Sequence, residues 1–155
     1  MILATLCYVR DHERGKTLML HRIRKDQDIH AGKWNGLGGK FEDTETPEDC
    51  VIREIEEESG LIIRDPALKG LLTFPKFKDD EDWYVFVYVA DDFSGELLAE
   101  SAEGVLGWID DDAITSLNLW EGDHFFLPWL EENAFFSASF VYKGGEYISH
   151  RVVFH

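Results

Sequence analysis

One helical segment, set among strand-like sequence, is the feature that most constrains how this chain can fold. Thr46 can cap a helix that begins at Pro47, and Asp49 stands where a capping-box acid would. Gly60 predicts the end of the helix. Apolar residues recur between these limits at helical spacing, at Val51, Ile52 and Ile55. The helix therefore has one apolar face, which is expected to pack against the strands.

The rest of the chain consists mainly of predicted β-strands. These cover residues 2–10, 16–21, 61–64, 70–74, 83–90, 104–109, 136–143 and 146–154. Residues 110–117 and 121–132 predict two further helical stretches, and the segment from Arg22 to about Asn35 predicts a loop. This order favours an α/β fold with a mixed β-sheet flanked by helices. A length of 155 residues suits one domain, residues 1–155.

Charge and composition narrow the classes of partner. Asp and Glu number 31 against 15 Lys and Arg, giving a formal net charge of -16. Such a field repels polyanions, so extended nucleic-acid binding and anionic membranes are disfavoured, whereas a small phosphorylated ligand with a metal ion is compatible. The sequence contains no apolar run of about 18 residues and starts without a signal-peptide pattern, which predicts a cytoplasmic protein. The oligomeric state is left open.

Three glutamates of the predicted helix share one face. Glu54, Glu57 and Glu58 stand at i, i+3 and i+4, where like charges repel each other. A hard cation such as Mg²⁺ would neutralise this face, although a solvated acidic surface has the same pattern. Gly38–Gly39 allow close backbone approach to a ligand, and Arg53 can orient a carboxylate through its planar fork.

This segment resembles the Nudix box. The box is a glycine, five residues, a glutamate, seven residues, and then Arg-Glu-apolar-any-Glu-Glu-any-Gly-apolar. Its defining positions are all filled, by Gly39, Glu45, Arg53, Glu54, Ile55, Glu57, Glu58, Gly60 and Leu61. A match at so many fixed positions is far more specific than a lone glycine motif. The resemblance implies a Nudix α/β/α sandwich that carries the box as a loop–helix–loop, and hydrolysis of a diphosphate linkage with Mg²⁺ or Mn²⁺.

The resemblance also implies roles for individual residues. The implied metal-binding residues are oxygen donors, Gly39, Glu54, Glu57, Glu58 and Glu103. The implied catalytic residues are Glu54, Glu57 and Arg53. Among them Arg53 would orient the glutamates, and Glu54 is the first candidate to accept the proton of the attacking water, although the identity of the base is left open. Glu45 would support the start of the helix.

A second resemblance lies outside the box. The segment Trp34–Lys40 is similar to the one that precedes the box in MutT-like Nudix enzymes, which cleave oxidised purine nucleotides such as 8-oxo-dGTP. The implied substrate-binding residues are Asn35, Lys40, Phe74, Trp120 and Asp123. An amide suits a purine edge, and an aromatic ring stacks on a base. Relatives that bind the base with two adjacent aspartates have an acid at the position of Gly122. Of that pair, this sequence keeps only Asp123.

Other interpretations of these outlying residues are open. Trp120 and Phe74 also fit a hydrophobic core, and Asn35 also fits a turn. Asp123 also suits the first turn of a helix, and Glu103 an ordinary surface position. The preference for an oxidised purine therefore stays open at this stage.

Three functions remain. The first is hydrolysis of a nucleoside triphosphate to a monophosphate and pyrophosphate, on oxidised purine nucleotides such as 8-oxo-dGTP. The second is removal of pyrophosphate from the 5′ end of triphosphorylated RNA. The third is a nucleotide-binding sensor without catalysis, against which the intact face of Glu54, Glu57 and Glu58 argues.

Overall fold

The computed structural model describes residues 1–23 and 32–155. Among these residues a nine-stranded mixed sheet has the order β11-β10-β5-β6-β1-β2-β9-β8, with β3 paired to β2. Strands β4 and β7 form a separate two-stranded sheet. The strands are β1 (Ile2–Asp11), β2 (Lys16–His21), β3 (Trp34–Asn35), β4 (Ile62–Arg64), β5 (Ala67–Lys78), β6 (Glu81–Ala90), β7 (Asp92–Ser94), β8 (Glu100–Ser101), β9 (Gly104–Asp110), β10 (Phe136–Lys143) and β11 (Glu146–Phe154).

The large sheet is mixed because two of its strand pairs run parallel. Strand β1 pairs in parallel with β6, and β10 pairs in parallel with β5. The hairpins β1–β2, β5–β6 and β10–β11 are antiparallel. A parallel neighbour requires a crossover through other elements, so strands that are distant in the sequence come to lie side by side.

The long helix α1 spans Pro47–Ser59 and has both predicted caps. The Thr46 side chain accepts from the Asp49 amide, and the Asp49 side chain accepts from the Thr46 amide. Gly60 has a φ of 80°, a left-handed conformation that glycine adopts without strain, and its N–H bonds the Glu56 carbonyl. These contacts confirm the helix limits that the sequence predicts.

Apolar side chains are buried on both faces of the large sheet. Along β2, Leu18 and Leu20 pack in the core that includes Val51 and Ile55 of α1, whereas Met19 packs in the core on the opposite face. The second core includes Phe126, at the end of α2 (Glu121–Phe126). Because successive strand residues point to opposite faces, one sheet can be covered on both sides. This arrangement confirms the predicted α/β/α fold.

The later helical stretches differ from the prediction. Residues 110–117 contain a 3-10 helix, Asp111–Ser116, rather than an α-helix. The predicted helix over 121–132 is divided into α2 and a second 3-10 segment, Leu127–Glu131. Pro128 explains the division, because proline has no N–H to continue the α-helical hydrogen bonds.

The strand predictions are confirmed in place, with different limits in several cases. Strands β10 and β11 match their predicted ranges, whereas β5 is longer than predicted and β3, β7 and β8 were not predicted. Strands of two or three residues are too short to show periodicity. Of the predicted loop from Arg22 to Asn35, residues 24–31 lie outside the described residues, and Trp34–Asn35 form β3. In the described part of the chain, no helix is long and apolar enough to cross a membrane.

Candidate active site

Arg53 ties the helix α1 to the loop before it. Its Nε and Nη2 donate to the two carboxylate oxygens of Glu45, at 2.6 and 2.8 Å. Its Nη2 also donates to the Lys40 carbonyl at 3.1 Å. The hydrogen bond from Arg53 is the main reason why the pKa of Glu45 falls to about 2. A two-pronged guanidinium–carboxylate contact of this kind fixes the loop relative to the helix.

The same guanidinium contacts two of the predicted metal-binding carboxylates. Arg53 Nη1 donates to Glu54 Oε1 at 2.8 Å and to Glu57 Oε2 at 3.2 Å. The Glu54 side chain is 17% exposed, whereas the Glu57 side chain is 58% exposed. Arg53 is not among the residues that line the adjacent cleft. It is therefore placed to act through the glutamates, as a positioning residue.

Glu58 lies deeper than its two neighbours on the helix. Its Oε1 accepts a hydrogen bond from the Gly38 amide at 3.0 Å, and its Oε2 is buried without a partner among the described residues. Burial, followed by the negative charge of Glu103, raises the pKa of Glu58 to about 8. Burial also raises the pKa of Glu54, against the opposing effect of Arg53. Glu103 forms an ion pair with Arg22 at 2.8 Å.

These acids share a cleft but do not form a closed cluster. In residues 1–23 and 32–155, no group of three Asp, Glu, His or Cys side chains is close enough together to hold a metal ion. The expected convergence of Glu54, Glu57 and Glu58 is therefore not present in this conformation. Like charges repel each other, and each carboxylate instead accepts from the nearest donor, Arg53 or the Gly38 amide.

The donor set nevertheless fits a hard divalent cation. All of its atoms are oxygens, the type that Mg²⁺ and Mn²⁺ prefer, and Glu58 Oε2 is a buried oxygen without a hydrogen bond from any described residue. The Gly39 backbone packs closely on Glu54, since a Cβ at Gly39 would lie 2.4 Å from the Glu54 carboxylate carbon. We call this part of the cleft the carboxylate half. It consists of Gly39, Glu54, Glu57, Glu58 and Glu103.

The cleft continues into a wall of aromatic rings. The Phe77 ring lies 5.5 Å from Trp120, and Tyr142 lies 5.3 Å from Trp120, both edge-to-face. Phe74 lies 5.3 Å from Phe77. Trp120 is 7% exposed and belongs to the core, as one interpretation predicts, and it also lines the cleft. Aromatic surfaces of this kind can stack on a planar ligand.

Two polar side chains accompany these rings. The Asn35 amide nitrogen, Nδ2, is buried without a partner among the described residues. Burial raises the pKa of Asp123 to about 8, while the Lys33 ammonium opposes this effect. A neutral carboxyl group can both donate and accept a hydrogen bond. We call this part of the cleft the aromatic half. It consists of Asn35, Phe74, Phe77, Trp120, Asp123 and Tyr142.

Both halves open into one cleft with a volume of about 930 Å³. Its lining includes every predicted metal-binding and substrate-binding residue, namely Asn35, Gly39, Lys40, Glu54, Glu57, Glu58, Phe74, Glu103, Trp120 and Asp123. Of the predicted site residues, only Arg53 lies outside this lining. The Lys40 ammonium lies 5.3 Å from the centre of the Trp83 ring, at the side of the cleft.

Phe77 lines the cleft but is not predicted by the sequence pattern. Simple alternation along β5 would place Phe74 and Phe77 on opposite faces of the sheet. The register with β6 shifts between Phe74 and Lys78, and Lys76 has a φ of 47°. This bulge brings Phe77 into the cleft beside Phe74. A sequence pattern alone gives little sign of such a shift.

Tyr142 was also missed, although a signal was present. Phe136, Ala138, Phe140 and Tyr142 alternate along β10 and are all buried on one face. That alternation identifies Tyr142 as inward-facing, but only the fold shows that it meets α2 at the cleft. The departure at Gly122 has a local explanation, since a Cβ there would lie 2.6 Å from the Tyr142 hydroxyl oxygen.

Comparison with known proteins identifies the family. The NUDIX domain model matches residues 2–130. The Nudix hydrolase YvcI of Bacillus subtilis is 39% identical over 119 residues, which cover 74% of this chain and 71% of that protein. The oxidized purine nucleoside triphosphate hydrolase of Danio rerio is 35% identical over 124 residues, covering 80% of this chain and 79% of that protein.

The solved structures include a neighbour that spans nearly the whole chain. The mutator MutT protein of Bacillus halodurans superposes with a TM-score of 0.86 at 30% identity. The alignment covers 98% of this chain and 97% of that one, including the C-terminal hairpin. The chain therefore belongs to the Nudix hydrolase family, among its MutT-like pyrophosphohydrolases.

Proposed function

We propose that this protein hydrolyses purine nucleoside triphosphates to the monophosphate and pyrophosphate, with oxidised guanine nucleotides such as 8-oxo-dGTP as its substrates. The observation that carries the proposal is the single cleft in which the carboxylate half adjoins the aromatic half. One half has the chemistry to handle a polyphosphate with a cation, and the other has stacking surfaces and hydrogen-bonding groups for a base. The names of similar proteins agree, since relatives from fish and mouse act on oxidised purine nucleoside triphosphates.

Nudix hydrolases generally need a divalent cation, and we propose Mg²⁺ for this one, with Mn²⁺ as a substitute. Glu54, Glu57, Glu58 and Glu103, with the Gly39 carbonyl, would hold it. A bound divalent cation would neutralise phosphate charge and lower the pKa of an attacking water. The proposal is supported by the all-oxygen donor set and by the buried, unpartnered Glu58 Oε2 among the described residues.

The residues of the chain would then divide the remaining tasks. Glu54 is the proposed general base, because Arg53 bonds its Oε1 and leaves Oε2 to take the proton of the attacking water. As the water oxygen bonds to the α- or the β-phosphorus, the bond from that phosphorus to the oxygen that bridges the two breaks, and the products are the monophosphate and pyrophosphate. Arg53 keeps Glu54 and Glu57 in position, and the Lys40 ammonium is proposed to pair with phosphate oxygens.

The aromatic half is proposed to bind the base. Trp120 and Phe74 would stack on or enclose a purine, each stacked base being worth ~1–3 kcal/mol. The Asn35 Nδ2 atom has no hydrogen-bond partner among the described residues. It would bind the purine edge together with Asp123.

We also propose that residues 1–155 act as one domain in the cytoplasm on a small nucleotide. The parallel pairing of β10 with β5 supports the inclusion of the C-terminal hairpin.

A substrate panel tests the proposal. Purified protein with Mg²⁺ is given 8-oxo-dGTP, dGTP, dCTP and a triphosphorylated RNA oligonucleotide, and the products are separated by chromatography. We expect monophosphate and pyrophosphate, with 8-oxo-dGTP giving the highest kcat/KM. Higher kcat/KM on the RNA would favour the RNA 5′-end function, and no turnover on any of them would favour the sensor.

A further inference from the structure

Tyr142 lines the aromatic half of the cleft, and its side chain ends in a hydroxyl group. Its oxygen accepts a buried hydrogen bond from the Gly122 amide at 2.7 Å. The ring lies edge-to-face against Phe77 at 5.6 Å and against Trp120 at 5.3 Å. The residue is 8% exposed and lines the cleft. The hydroxyl is therefore held in one place by contacts on several sides.

The proton of this hydroxyl is available to a ligand. A phenol carries one proton to donate and lone pairs to accept, and the Gly122 N–H already occupies the oxygen as an acceptor. No acceptor in residues 1–23 or 32–155 takes the Tyr142 proton. Burial raises the pKa of Tyr142 further above its ordinary value, so the phenol stays protonated. A buried donor without an acceptor is costly, and a ligand that supplies one is favoured.

The Gly122 backbone lies so close to two neighbouring rings that a side chain at this position has no room. A Cβ at Gly122 would lie 2.6 Å from the Tyr142 hydroxyl oxygen and 2.8 Å from Phe140 Cδ1. Any other residue would have to displace one of these rings. The hydroxyl therefore occupies space that a side chain at Gly122 would otherwise take.

We propose that the Tyr142 hydroxyl donates a hydrogen bond to a carbonyl oxygen of the purine base and so helps to select oxopurines. This inference rests on the proposed function of the same cleft. A carbonyl oxygen accepts, whereas an exocyclic amino group would set one donor against another. The Asn35 Nδ2 atom, likewise unpaired among the described residues, is a second donor that requires an acceptor on the ligand. Tyr142 is thus a specificity-determining residue.

The test compares Tyr142→Phe with the parent protein on three nucleotides in Mg²⁺. These are 8-oxo-dGTP, dGTP and 2-aminopurine deoxyriboside triphosphate, which has no carbonyl oxygen on its base. Loss of one neutral hydrogen bond should lower kcat/KM on at least one oxopurine by about fivefold relative to the aminopurine. Tyr147→Phe is the matched control, because Tyr147 belongs to the same ring cluster but does not line the cleft, and should keep the parent's ratios.

The outcomes separate this inference from the proposed function. Equal losses on all three nucleotides would mean that the Tyr142 hydroxyl only supports the Gly122 backbone, and would overturn the inference alone. If Tyr142→Phe fails to fold, the kcat/KM values of the parent protein still test the inference. A parent protein that does not prefer dGTP over the aminopurine nucleotide would overturn the inference. A folded parent that hydrolyses none of the nucleotides would overturn both proposals.

Discussion

The two halves of the cleft are built in different ways. The carboxylate half is drawn mostly from one continuous segment, Gly39 to Glu58, with Glu103 added from the loop between β8 and β9. The aromatic half is assembled from four elements that are far apart in the sequence, β3, β5, α2 and β10. A short segment can be identified from its own spacing, whereas a surface assembled by tertiary packing depends on the whole fold.

The halves also differ in their electrostatics. In the carboxylate half burial is the main cause of the raised pKa of Glu54 and Glu58, and neighbouring acids, Glu103 among them, raise both pKa values further. In the aromatic half Asp123 is the only acidic side chain, and burial is the main cause of its raised pKa. We therefore expect the first half to respond to cations and the second to respond to the base and to protons.

Removal of divalent cations should have the largest effect. Without a divalent cation, the negative charges of the carboxylate half would repel the polyphosphate of the substrate. Excess chelator should therefore abolish turnover on every nucleotide, and added Mg²⁺ should restore it. Phosphate release with and without chelator measures this. Mg²⁺ should also raise the melting temperature, since a ligand that binds only the folded state stabilises it. Full turnover in excess chelator would contradict the assignment of this half.

A charge deletion in the carboxylate half should come next. Glu57→Gln keeps the shape of the side chain and removes its charge, so kcat should fall by ~10²-fold or more while the fold survives. Circular dichroism checks the fold, and steady-state kinetics checks kcat. Glu56→Gln is the matched control, because Glu56 is exposed on α1 and does not line the cleft. A folded Glu57→Gln protein with the parent's turnover would show that this helix face is not the metal site.

A deletion in the aromatic half should have a smaller effect of a different kind. Asn35→Ala removes one proposed hydrogen-bonding group for the base, so KM for purine triphosphates should rise about fivefold with little change in kcat. The exposed Asn133 offers a control, and Asn133→Ala should behave as the parent. Steady-state kinetics on dGTP and dCTP measures both. An unchanged KM for dGTP would remove Asn35 from the proposed base site.

The smallest expected effect is a pH dependence of base preference. Asp123 has a pKa raised from 3.8 to about 8, so its carboxyl group is neutral below that value and accepts only above it. Lys33 opposes this shift, and the phenols of Tyr8 and Tyr142 are its electrostatic neighbours. The ratio of kcat/KM for 8-oxo-dGTP to that for dGTP should therefore change about severalfold between about pH 6 and about pH 9.5.

Asp123→Asn supplies the control for this pH effect, because the amide does not titrate and the ratio should become flat. The stability of the folded protein should follow the same group. Its raised pKa contributes stability that is complete below pH 3.8 and is lost as the pH rises through about 8. Thermal unfolding across this range should show a smaller loss in Asp123→Asn than in the parent, because Glu58, whose pKa is also raised to about 8, contributes to the loss in both proteins. A pH-independent substrate ratio in the parent would mean that Asp123 does not read the base through its proton.

Features that depend on nearby residues could be predicted from the sequence, whereas features that depend on tertiary packing could not. The helix α1 was predicted with its caps, because each cap acts within a few residues: Thr46 with Asp49 at the start, and Gly60 with Glu56 at the end. The strands β10 and β11 were predicted because strand-like sequence lies on either side of Gly144-Gly145. Phe77 could not be predicted, since it reaches the cleft only through a register shift between β5 and β6.

The carboxylates illustrate a further limit. Their spacing on one face of α1 and the role of Arg53 in orienting them were predicted, but the hydrogen bond from the Gly38 amide to Glu58 was not. The position of a backbone amide relative to a helix is a property of the tertiary structure. Similarly, the contact of the Tyr142 hydroxyl with Gly122 joins two elements that only the folded sheet brings together.

Crossed kinetics of two variants tests the functional separation of the halves most directly. Glu57→Gln, Asp123→Ala and the double variant are measured on 8-oxo-dGTP, dGTP and dCTP at saturating Mg²⁺. Glu57→Gln should lower kcat by one common factor and keep the ranking of the nucleotides, whereas Asp123→Ala should reduce the ranking and largely keep kcat. The double variant should show both effects together, as independent sites do. A Glu57→Gln protein with an altered ranking, or an Asp123→Ala protein with kcat as low as that of Glu57→Gln, would contradict the division of the cleft.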